Sequence, residues 1–207
     1  MIRHPYIYNQ ILQIYKALPE ISFPLNLKLV LPLIQNCRII TYQHFAKVNN
    51  CSINDVMLMC ESKTGCTHYD VVNQKYLILW NADSANNNVS GRRRWTQAHE
   101  IGHVVLKHLP LVATQKLAEN SFNNLASPRF EAEADLFAGF LLCPPPLFEL
   151  LDISSADEVR HTFGVSCEAS RVRWAAYVEW KRSHRKTAWE NDMKRLYIAR
   201  KRYDGTV

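Results

Sequence analysis

The chain has 207 residues, 47% hydrophobic and 21% charged, enough for one large domain or one domain with appendages. Its net charge of +6 sits at one end: residues 1–180 carry 16 Lys/Arg against 16 Asp/Glu, and residues 181–207 carry 9 against 3. A neutral body excludes the domain-wide basic surface that grips nucleic acid, so direct nucleic-acid binding is not expected.

The start, "MIRHPYIYNQ", lacks a basic-then-apolar leader layout, and "FPLNLKLVLPLIQNC" is too short and proline-broken to span a bilayer. The six cysteines (37, 51, 60, 66, 143, 167) form no C-x-x-C pair, which argues against a thiolate zinc knuckle. Free thiols, most of them packed in a core, in a cytoplasmic protein are the expectation.

In chain order, "NQILQIYKAL" places Ile11, Ile14, Tyr15 and Leu18 at helical spacing before Pro19. A second helix is expected over Leu25 to Gln35, and "CRIITYQ" reads as a short strand. "SINDVMLMCES" opens with Ser52 and Asp55 at capping-box spacing. "CTHYDVV-NQ-KYLILWN" reads as two strands joined at Asn73-Gln74, the second so apolar that it should be central or well covered. A helix from about Arg92 to His108 should stop at Pro110. Another begins at Ser127-Pro128 and stops at Pro144-Pro145-Pro146. A shorter helix pair follows, with Gly164 between its members. The tail puts Trp189, Met193, Leu196 and Tyr197 on one side of a basic helix. Helices, a small sheet, then helices predict an α+β fold.

"TQAHEIGHVVLKH" carries the chemistry. His99 and His103, four residues apart, turn through about 400° and share one helix face, so both imidazoles can reach one Zn²⁺. Glu100 is angled to meet a water at the metal as general base, the H-E-x-x-H arrangement. The apolar neighbours Ala98, Ile101, Val104, Val105 and Leu106 predict burial, and Gly102 predicts close packing. "EAEAD" offers a third ligand. Glu131 and Asp135 share a face, so one can bind metal while the other fixes an imidazole tautomer. Glu133 points away and is expected to be a solvated first-turn acid. His108 is expected to be solvated or capping.

"RRRWTQAHEIGHVVLKH", a gap of under thirty residues, then "EAEADLFAGFLLCP", resemble the ImmA/IrrE family of bacterial and phage metallopeptidases. The likeness takes in "YLILWN" and "FGVSCEASRVRW" and covers roughly residues 23 to 180. It implies a zincin-like peptidase domain with a small mixed sheet, with zinc on His99, His103 and Glu131, Glu100 as base, and Asp135 in the position of a supporting Asn or Asp. Cys143 departs from the family's more frequent Met and raises the prospect of redox sensitivity. The implied partner is a helix-turn-helix repressor, cut at a limited site to release transcription, in a mobile element or stress locus.

The expected organisation is a peptidase domain over 1–150, a helix-turn-helix-like segment over 151–180 packed on it, and a basic tail over 181–207. His108, His68 and Tyr69 are candidates for the oxyanion donor, and "YLILWN" for the edge that takes an extended peptide. Two other functions compete. A structural zinc site, closed by a fourth ligand such as His108, would make the chain a non-hydrolytic anti-repressor. A DNA-binding segment would use Arg171 and Arg173.

Overall fold

In the computed structural model, the described residues are 1–84, 90–111, 116–118, 127–183 and 187–203. They form two compact units, each discontinuous in sequence. Met1–Arg3 with Ile34–Ala138 make the first, and His4–Leu33 with Gly139–Val207 make the second. The boundaries expected from the sequence, at 150 and 180, were continuous, whereas the observed division pairs the first helix with the C-terminal ones.

The first unit is built on a mixed sheet in the order β1-β3-β2-β4. Strand β1 (Cys37–Thr41) runs parallel to β3 (Lys75–Trp80), and β2 (Gly65–Asp70) runs antiparallel to both β3 and β4 (Lys116–Ala118). β3 is therefore internal, as its apolar run predicts. For the same reason it offers no edge to a peptide, and the expectation that "YLILWN" receives an extended substrate is overturned. Its backbone groups already pair with β1 and β2.

Helices α3 (Tyr42–Val48) and α4 (Ile53–Cys60) are started by side chains. The Thr41 hydroxyl accepts from His44 N, and Ser52 and Asp55 form the full capping box. Their apolar faces enclose Tyr42, Ala46, Val56 and Cys60 with Cys66 and Leu79 of the sheet. Residues alternate along β2, so Cys66 and His68 lie on this face and Gly65 and Thr67 on the other. The β2–β3 connection is a four-residue turn, longer than the Asn73-Gln74 pair expected. Asp70 Oδ1 accepts from Val72 N and Asn73 N and holds it open.

Helix α5 (Ser90–Val105) lies on the second face of β2, and α6 (Pro128–Leu142) starts on Pro128. α5 ends three residues before the expected His108. Lys107 takes the left-handed conformation (φ 57°), and the amide of His108 donates to the His103 carbonyl.

The second unit holds α1 (His4–Ala17), α2 (Leu27–Val30), α7 (Ala156–Phe163), α8 (Cys167–Ser183) and α9 (Ala188–Tyr203). The helix expected over Leu25 to Gln35 is only α2 and a 3-10 turn. Tyr15 Oη donates to the Leu141 carbonyl, and Phe148 packs on Phe163 and Tyr177. Gly164, left-handed at φ 62°, turns α7 into α8. Arg173 is 9% exposed, with its guanidinium over the Phe140 ring, so it is a packing residue and the DNA reading loses one of its two arginines. The basic tail forms α9, whose Met193 and Tyr197 are buried. All six cysteines are free, and no described helix is long and apolar enough to cross a membrane.

Candidate metal centre

The centre is made by α5 and α6, which approach closely at Gly102. A Cβ there would lie 3.0 Å from Phe137 Cδ1 and 3.3 Å from the Ala134 Cα, so only glycine fits without displacing backbone. This contact brings the first turn of α6 to the histidine face of α5. His99 Nε2 and His103 Nε2 are 3.0 Å apart. Glu131 Oε2 is 3.2 Å from His99 Nε2, and Glu131 Oε1 is 3.5 Å from His103 Nε2. The three donor atoms lie within 4.8 Å of one another, and both histidines are buried.

Where the protons sit follows from the partners of the other ring nitrogens. Asp135 Oδ1 is 2.9 Å from His99 Nδ1. A carboxylate only accepts, so that nitrogen carries the hydrogen and Nε2 of the neutral ring is a bare lone pair. The same holds for His103 through a longer chain. Glu133 Oε2 takes the hydrogen of His108 Nε2 at 3.1 Å, which leaves His108 Nδ1 as acceptor. His103 Nδ1 donates to it at 3.0 Å, which leaves His103 Nε2 bare.

Electrostatics agree. Burial, then the neighbouring His99 and His108 rings, hold His103 well below the ordinary imidazole value. Burial also takes His108 down to about 4 against the pull of Glu133. Burial pushes the Glu133 carboxyl up, but hydrogen bonds from Arg3 and Arg129 outweigh it and bring it to about 2. Two lone pairs and a carboxylate therefore face one another with no hydrogen among them. Glu131 Oε1 is buried with no hydrogen-bond partner among the described residues. Such a set repels itself unless a cation sits within it, so the residues fit a metal ion.

Glu100 is fully buried on the same helix. The Thr67 hydroxyl of β2 donates to Glu100 Oε2 at 2.5 Å. Gly65 leaves room for this carboxylate, since a Cβ there would stand 3.2 Å from Glu100 Oε1. Strand β2 thus fixes the side chain that the histidine helix carries.

The structure brings His99, His103, Glu131 and Asp135 together as the spacing predicts. It corrects two expectations. Glu133 is not solvated but fully buried. It accepts from Arg3 N and Arg129 Nε through Oε1, and from Arg3 Nε, Arg3 Nη2 and His108 Nε2 through Oε2. His108 is likewise fully buried, its ring stacked on Phe130. The left-handed Lys107 explains this, because it folds the chain back and returns His108 beneath His103. The only sequence signal was the count of acids and histidines around the motif.

With both nitrogens engaged, His108 is neither a fourth ligand nor an oxyanion donor. Among the described residues the set closes at three protein donors, the number that leaves a coordination position open. His68 faces away from Glu100 across β2, and the Tyr69 ring packs on Tyr76. Of the three oxyanion candidates, His108 and His68 are thereby removed, and Tyr69 stays on the strand face that carries Thr67. Cys143 is buried in the second unit.

No curated protein matches the chain. The family model of the IrrE N-terminal-like domain, Peptidase_M78, matches residues 67–175, a span that takes in β2 from Thr67 onward, both metal-centre helices and the first half of α8. This match covers more than half of the sequence, and the chain belongs to the Peptidase_M78, or ImmA/IrrE, family of metallopeptidase-like proteins.

Proposed function

We propose that the protein is a zinc-dependent endopeptidase that makes a limited, site-specific cut in a partner protein, a helix-turn-helix transcriptional repressor, and so relieves repression. The observation that carries the metal chemistry is the convergence of His99 Nε2, His103 Nε2 and Glu131 with no hydrogen between them. The repressor as substrate, and a prophage or mobile-element setting, rest on the family resemblance. Free cysteines suit a cytoplasmic site of action.

His99, His103 and Glu131 would hold the zinc. Zinc held there supplies Lewis acidity toward a peptide carbonyl and an attacking water. Asp135 and the His108–Glu133 pair keep the two imidazoles in the tautomer that presents Nε2. Thr67 orients Glu100 through Oε2. Glu100 takes the water's proton as the water attacks, then hands it to the leaving amine. Burial of Glu100 keeps bulk solvent from competing for that proton.

The test is incubation of the zinc-loaded protein with a helix-turn-helix repressor, with products read by mass spectrometry. Wild type yields one pair of fragments. Glu100→Gln keeps its zinc and yields none, whereas continued cleavage by that variant removes Glu100 from the mechanism. Repressor binding without any cleavage by wild type favours the anti-repressor reading.

A further inference from the structure

The second face of β2 holds another set of donors. Cys60, the last residue of α4, and Cys66 and His68 of β2 each aim one ligand atom into a common space, all within 4.8 Å. Both thiols are fully buried. The connecting chain is built to bring them together. Glu61 ends α4 in the left-handed conformation (φ 55°). The Ser62 hydroxyl then accepts from Thr64 N and Gly65 N and tightens the return into β2.

A single buried cysteine is ordinary packing. Here two thiols meet an imidazole whose Nε2 is buried with no hydrogen-bond partner among the described residues. Leaving such an atom unpaired is unfavourable, and a bound ion supplies the missing partner. We infer that Cys60, Cys66 and His68 form a second metal site, for a thiophilic monovalent ion of the Cu(I) class.

The donor set decides the class. Two sulfurs and one nitrogen are softer than the two nitrogens and carboxylate of the first centre. Structural zinc closes with four protein ligands, and the Tyr42 hydroxyl in the same cluster already donates to the Ser62 carbonyl at 3.2 Å. Three donors set in the core cluster of Val56, Leu79 and Tyr42 suit an ion content with three-coordination. Binding would release the two thiol protons and leave both sulfurs as thiolates. The two β2 ligands flank Thr67, so occupancy would stiffen the strand segment that holds Glu100.

The experiment is anaerobic titration of the reduced full chain with Cu(I) delivered as its bicinchoninate complex. Wild type should withdraw one Cu(I) per chain from the chelator. Cys66→Ser and His68→Ala should each weaken that uptake by more than about tenfold. Glu131→Ala, which removes a ligand from the first centre only, should leave it unchanged, so the two sites fail separately. His68 is only partly buried, and its variant keeps the test valid if Cys66→Ser does not fold. No uptake by wild type, equal uptake by the His68 variant, or a metal-free protein whose mass shows a Cys60–Cys66 disulfide overturns the inference.

Discussion

His103 presents a lone pair at Nε2 only while Nδ1 keeps its hydrogen, and the acceptor of that hydrogen is another histidine. His108→Phe keeps a ring to stack on Phe130 and removes the acceptor. Zinc affinity, read by chelator competition, should fall about 10–100-fold, and ¹⁵N spectra of the zinc-free protein should show His103 moving its hydrogen to Nε2. Glu131→Ala should lose zinc outright. Glu133→Gln should keep all three ligands yet weaken both fold and zinc binding. An amide can present an acceptor to only one of the two donor groups now on the carboxylate, Arg3 N with Arg129 or Arg3 Nε with His108. A loss of about 1–3 kcal/mol in urea unfolding is the expected size. Thr67→Val should leave zinc content unchanged and lower turnover, because its hydroxyl touches Glu100 and no ligand.

At the scale of elements, the centre depends on how closely α5 and α6 approach. Gly102→Ala gains roughly 1 kcal/mol of helix propensity but drives a methyl against the Ala134 backbone, which cannot rotate away. The net effect should be a loss of about 1–3 kcal/mol, read as a lower melting temperature together with weaker zinc binding. Both helices were legible in the sequence because each buries a periodic apolar face and has a proline at its start or beyond its end. The end of α5 was not legible. Nothing in "HVVLKHLP" announces that Lys107 turns left-handed, since lysine has no intrinsic preference for that region. That single dihedral converts His108 from an expected solvated residue into the support of a ligand. The internal position of β3 was legible from its unbroken apolar run, and the consequence for peptide docking follows once its partners are known.

Across the molecule, the charge asymmetry resolves into a packed helix. α9 exposes Arg195 and Lys201, ties Lys194 to Glu149 and Arg200 to the Lys16 and Pro19 carbonyls, and buries Met193, Tyr197 and Glu190. Met193→Ala should therefore cost about 2–5 kcal/mol in urea unfolding, whereas Arg195→Ala, on the exposed side, should stay within about 0.5 kcal/mol. Equal effects would return the tail to the status of a solvated appendage.

What lies within one turn of one helix was readable from the residues alone. Four-residue spacing puts His99 beside His103 and Glu131 beside Asp135 whatever the rest of the chain does, and helix geometry alone makes these pairs. How the pairs meet, and what supports them, depends on contacts between distant parts of the chain. Arg3 and Glu133 are separated by 130 positions, and Thr67 and Glu100 by 33. No local period encodes such contacts. They arise when buried polar groups must find partners, and the partners available are set by which elements the core brings together.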